Sequence, residues 1–188
     1  MKKYLFFLGL FTLFISSCTP VTSTNVPGSK MNQIPKNLRG KYELVYPGDL
    51  GSMMDESEEK TIVTFASDGI IFNGTEGDSK SKLNDSLFVS KIGKQIYIAL
   101  GSSPDLNVFK VVKKGKEIEL YPMYCMDYVS QDELKAYFSN VEEVVGEPDE
   151  NGEPGMSTFV VTIDDKRLDS YFESDYPSKD PFKLVKTK

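Results

Sequence analysis

The chain has 188 residues, with 22 Lys and Arg against 28 Asp and Glu, two Cys, no Trp and no His. The absence of His removes imidazole general bases, Ser-His-Asp triads and His-ligated metal sites. The net charge of −6 argues against nucleic acid as a partner, because that affinity rests on neutralising phosphates.

Lys2 and Lys3 form a basic start, and Tyr4 to Ile15 follows as an apolar run without a charge. A run of about 12 residues falls short of the roughly 17–25 that a membrane helix needs. It ends in Ile15-Ser16-Ser17-Cys18, followed by Thr19-Pro20. This resembles the lipobox of bacterial lipoproteins. The resemblance implies cleavage before Cys18, lipidation of its thiol and an acylated N-terminus that makes a membrane the partner. It also implies the outer membrane, because no Asp follows Cys18 directly.

Residues 1–17 then read as a signal peptide. The mature chain carries 20 basic residues against 28 acidic ones, a net −8. With Cys18 acylated, Cys125 is the only free thiol, so no intramolecular disulfide is expected. Without a His to activate it, Cys125 reads as a small packed side chain. Residues 18–36 are rich in Ser, Thr, Asn, Pro and Gly and read as a flexible tether reaching about 25 Å.

Residues 37–188 read as a single β-rich domain. Tyr42, Leu44 and Tyr46 alternate with polar neighbours, as in a strand with one buried face. Thr61–Phe65 and Gly69–Phe72 flank Ser67-Asp68-Gly69, a hairpin signal. The pattern recurs at Leu87–Lys91 and Gln95–Leu100, and again at Asn107–Val112 and Lys116–Tyr121. The period then changes to 3.6. Ser130 and Glu133 form a capping box, and Leu134, Tyr137, Phe138, Val141 and Val145 fall on one stripe. A helix over 131–145 is predicted, stopped by Gly146 and Pro148. Ser157–Ile163 reads as a strand, 165–173 as a short helix and Phe182–Val185 as a last strand.

The opening Asn37-Leu38-Arg39-Gly40-Lys41-Tyr42 resembles the start of lipocalin-like domains. Together with the strand order it implies a mainly β (α+β) fold: an antiparallel, lipocalin-like meander barrel with the amphipathic helix at 131–145. The alternative is an open curved antiparallel sheet packed on that helix.

Few motifs suggest chemistry. Ser57–Lys60 and Ser79–Lys82 have Ser-x-x-Lys spacing, but in polar loop-like segments rather than at a helix start. The acidic runs 55–59 and 149–153 read as solvated loops. No Gly-rich loop opens a helix, so no nucleotide or other cofactor is expected. No catalytic or metal-binding set stands out. The densest unusual stretch is Tyr121–Tyr128, and Tyr42, Tyr97, Tyr121, Tyr124 and Met126 are the residues expected to line a ligand space. The chain therefore reads as a non-enzymatic binding module for a small apolar or amphipathic ligand. The alternative is an interaction or inhibitor module of a cell-envelope complex. A ligand carrier requires an internal cavity of several hundred Å³. An interaction module requires a filled core and an exposed apolar patch.

Overall fold

The computed structural model describes residues 20–47, 60–74, 77–124, 129–147, 155 and 157–187. Cys18, Cys125, Met126, Tyr128 and the acidic runs 55–59 and 149–153 lie outside the described residues. The first strands are β1 (Val21–Ser23), β2 (Ser29–Lys30), β3 (Gly40–Val45), β4 (Ile62–Phe65), β5 (Gly69–Gly74) and β6 (Gly77–Lys82). Then come β7 (Leu87–Ile92), β8 (Gln95–Leu100), β9 (Asn107–Lys114) and β10 (Glu117–Pro122). Helix α1 (Gln131–Lys135), β11 (Phe138–Val145), β12 (Ser157–Ile163), α2 (Leu168–Glu173) and β13 (Phe182–Lys186) complete the order.

Ten strands form one antiparallel sheet in the order β2-β7-β8-β9-β10-β13-β3-β4-β5-β6. The sheet curls into a half-barrel, with a small mixed sheet and a helix packed nearby. The mainly β antiparallel class read from the sequence is therefore the observed one. The ring is not closed by a continuous ladder: between β6 and β7 only a parallel bridge joins Leu83 and Leu87. The reason is topological. From β7 round to β6 the sheet has an odd number of strands, because β13 enters between β10 and β3. β6 and β7 therefore meet parallel, and a parallel pair needs a crossover of about a dozen residues. The link from Leu83 to Ser86 is far shorter.

Side-chain alternation divides the apolar residues between two cores. Tyr42, Val63, Phe65, Ile70, Leu87, Val89, Ile98, Val111, Ile118 and Leu184 fill the inside of the curl. On the outer face Tyr97, Ala99 and Val108 pack against Val21, Phe159, Val161 and Ile163, with Leu134 and Tyr171 from the helices. β8 is sandwiched between both cores, which is why Ile96 to Leu100 is apolar without a break.

Two expectations are corrected. The segment expected to be a tether is folded from Pro20 onwards. β1 runs parallel to β12 and antiparallel to a bridge at Leu106, with Val21 only 4% exposed. β2 pairs with β7, and Ile34 and Leu38 are wholly buried in the inner core. Ile34 donates its N–H to Ser67 O, so residues 31–38 cap the curl beside the β4–β5 turn. Few apolar residues are present in this segment, but each occupies a slot that the sheets leave open.

The long helix is the second correction. The capping box is present: Glu133 N–H donates to Ser130 Oγ at 3.3 Å, and Ser130 N–H donates to Glu133 Oε2 at 2.8 Å. The helix nevertheless stops at Lys135, and Phe138–Val145 is a strand paired with β12. A bulge explains the misleading period. Phe138 pairs with Ile163 and Asn140 with Thr162, leaving Ser139 as an extra residue. The insertion places Phe138 and Val141 on the same buried face at i, i+3 spacing, which imitates a helix. β6 was not foreseen either: Gly-Asp-Ser-Lys-Ser-Lys carries no apolar residue, and it is held by pairing with β5. Gly93 and Gly115 take positive φ in their hairpins as such turns require. Gly69 serves differently, because a Cβ there would lie 2.5 Å from Ser81 O.

Candidate functional site

The tyrosines singled out in the sequence do not converge on one chamber. Tyr42 lies in the inner core and donates its hydroxyl to Leu38 O at 2.9 Å, while Phe65 meets its ring edge-on. Tyr97 lies in the outer core and donates to Asp169 Oδ1 at 2.7 Å. Tyr121 is half-buried at the margin of that outer core and donates to Glu119 Oε2 at 2.8 Å. Tyr124 is partly buried, and its carbonyl accepts from Ser178 N–H at 3.3 Å. Met126 and Cys18 are outside the described residues.

Two carboxylates gather these partners. Asp169, on α2, also accepts from Lys110 Nζ at 3.0 Å, and that ammonium lies 5.6 Å from the Phe172 ring centre. Burial raises the Asp169 carboxyl, but the bonds from Tyr97 and Lys110 outweigh it and hold the group below the usual carboxylate range. The same environment pushes the Tyr97 phenol far above its ordinary value, first by burial and then by the adjacent carboxylate. Glu119, unlike the half-exposed Asp169, is buried; it accepts from Lys114 and Tyr121, which hold it below its ordinary range against the effect of burial. Each carboxylate accepts from a cation and a phenol of its own neighbourhood, Asp169 through Oδ1 alone. Such groups tie strands to each other and to α2. Among the described residues no three His, Cys, Asp or Glu side chains cluster as a metal site.

A shallow pocket of about 130 Å³ lies between Val45, Tyr46, Pro47, Asp180, Pro181 and Lys183. It is small beside the roughly 300–1,000 Å³ of ordinary ligand sites. The Ser79–Lys82 pair falls on β6, where i and i+3 point to opposite faces, so these two side chains do not meet as on a helix.

The accessible feature of the small sheet is the edge strand β11. One side pairs with β12. On the other, Gln131 Nε2 donates to Val141 O at 2.6 Å, and beyond Val141 no described residue bonds to that edge. Glu142 and Glu143 are exposed, as are Val144 (45%) and Val145 (60%). Sequence reasoning missed this edge because it placed these residues on a helix. The run of β-branched Val141, Val144 and Val145 was the signal that favoured a strand.

No family model, no curated protein and no solved structure matches the chain.

Proposed function

We propose that the chain is a lipid-anchored protein of the bacterial outer membrane that works without catalysis, as an interaction module. Its contact is the free edge of β11, on which a partner lays an extended segment. The observation carrying this reading is that an edge from Glu142 to Val145 is unpaired among the described residues and exposes two large apolar side chains. Main-chain bonding to such an edge supplies affinity, and the side chains opposite supply selectivity. Glu142 and Glu143 select a segment carrying Lys or Arg, and they oppose self-pairing by putting like charges across from each other. The carrier reading has less support, because Tyr42 and Tyr97 occupy separate packed cores and the pocket at Val45 is small.

The test is a photo-crosslinking side chain placed at Val145 or, as a control, at Lys82 on β6, an edge strand of the large sheet. A discrete product at Val145 that is absent at Lys82, and lost in Glu143→Pro, which removes an N–H of the free edge, is expected. Equal products at both positions would refute the edge. A few hundred daltons retained in native mass spectrometry and released on denaturation would restore the carrier. The anchor is tested separately: radiolabelled palmitate is expected in the full chain and absent from Cys18→Ala.

A further inference from the structure

The chain is acidic overall, yet one end of the curled sheet is basic. The β9–β10 turn, the last residue of β13 and the first residues of β3 meet there. Lys186 N–H donates to Lys116 O at 3.1 Å, and Thr187 N–H donates to Lys41 O at 3.0 Å. Lys186 reaches back over Gly40, whose missing Cβ would lie 3.0 Å from Lys186 Cε. Lys113 stands beside them, its ammonium 5.7 Å from the Tyr42 ring centre. Lys41, Lys116 and Lys186 are exposed, and Lys113 is half-buried.

These cations lack carboxylate partners among the described residues, although Lys113 Nζ donates to the Glu117 carbonyl at 3.2 Å. Six ion pairs form among the described residues, and none of the four lysines belongs to one. Glu117 is the acid of this turn, whereas Glu119 is already taken by Lys114 and Tyr121. Burial, and next the charge of Lys186, lowers the Lys113 ammonium below its ordinary range, while Glu117 opposes the shift only in part. Crowding like charges without neutralising them costs stability, so an external anion that relieves it gains affinity.

We propose that this end of the sheet docks on a bilayer surface bearing anionic phosphate headgroups. The cations sit at turn tips and strand ends rather than around a cavity, which suits a plane of phosphates better than a single small anion. Membrane proximity rests on the Cys18 anchor proposed above. With a net charge of −8 in the mature chain, unspecific attraction to an anionic surface is excluded, so binding requires this segregated patch. A lysine held near such a surface is worth about fivefold in affinity, so removing three should weaken binding on the order of a hundredfold.

Residues 20–188 comprise every described element and lack Cys18, so their behaviour is independent of lipidation. Co-sedimentation at low salt would use vesicles of phosphatidylglycerol mixed with phosphatidylcholine, and of phosphatidylcholine alone. The expected result is binding to the anionic vesicles only, falling steeply with salt and lost in Lys41→Gln/Lys116→Gln/Lys186→Gln. The control Lys135→Gln/Lys166→Gln alters lysines beside the two helices and is expected to bind nearly as the parent does. No binding to anionic vesicles, equal binding to neutral ones, or equal loss in both variants would overturn the proposal. Absence of palmitate at Cys18 with vesicle binding intact would refute the anchor while leaving the docking surface standing.

Discussion

Asp169 shows how one carboxylate can join three elements. It receives the Tyr97 hydroxyl from β8 and the Lys110 ammonium from β9, and thereby holds α2 against the outer face of the large sheet. Its folded value lies below the ordinary Asp value of about 3.9, so the stabilisation is fully present above that pH and drains away as pH falls through the folded value. Asp169→Asn is expected to flatten the stability profile on the acid side, measured by urea midpoints between about pH 3 and 6. Tyr97→Phe removes one charge-assisted bond, and water can reach Asp169, whose side chain is 49% exposed. A loss of about 1–2 kcal/mol by chemical denaturation is the expected outcome, and no loss would mean the bond is idle. Tyr97 was legible in the sequence as a residue of interest. Its partner was not, because Asp169 lies 72 positions away.

At the scale of elements, β11 shows how a bulge defeats periodicity. Phe138 and Val141 are spaced like helix neighbours only because Ser139 is extra. Deleting Ser139 would restore regular alternation and leave Phe138 and Val141 two positions apart, both still facing the core. The thermal midpoint is therefore expected to stay near that of the parent, whereas Phe138→Ala costs about 3–5 kcal/mol and lowers it. If the segment were helical, the same deletion would instead rotate every later residue by about 100° and carry Val141 off the buried face, lowering the midpoint. The capping box itself was legible in the sequence and is present, since it depends only on Ser130 and Glu133. Where the helix ends was not, because β12 offers the backbone of Phe138–Val145 a full ladder of partners. A strand partner outweighs a propensity worth only tenths of a kcal/mol per residue.

On the scale of the molecule, the order of the N-terminal segment bears on the anchor proposed at Cys18. A free tether of 18 residues would let the domain roam about 25 Å from its anchor. Because β1 starts at Val21, only Thr19 and Pro20 separate Cys18 from the sheet. Three extended residues span roughly 10 Å, so an acylated Cys18 would hold the small sheet close to the headgroups. Removing residues 20–30 is expected to lower the thermal midpoint of the domain by several degrees, since Val21 and the β1 and β2 ladders are lost. A melt unchanged by that truncation would return these residues to the role of a spacer.

Local signals in the sequence determined the β class, most of the strands of the large sheet, and the hairpin turns at Gly93 and Gly115. Each depends on neighbours a few positions apart, which is the range over which alternation, turn chemistry and charge patterning act. The tertiary structure decided what depends on distant partners. It inserted β13 between β10 and β3, which leaves β6 and β7 parallel and the ring open. It also ordered a polar N-terminal segment by giving Val21, Ile34 and Leu38 buried sites. Finally, it separated Tyr42 from Tyr97 by a sheet, because successive residues of a strand face opposite sides and only the fold determines what lies on each side.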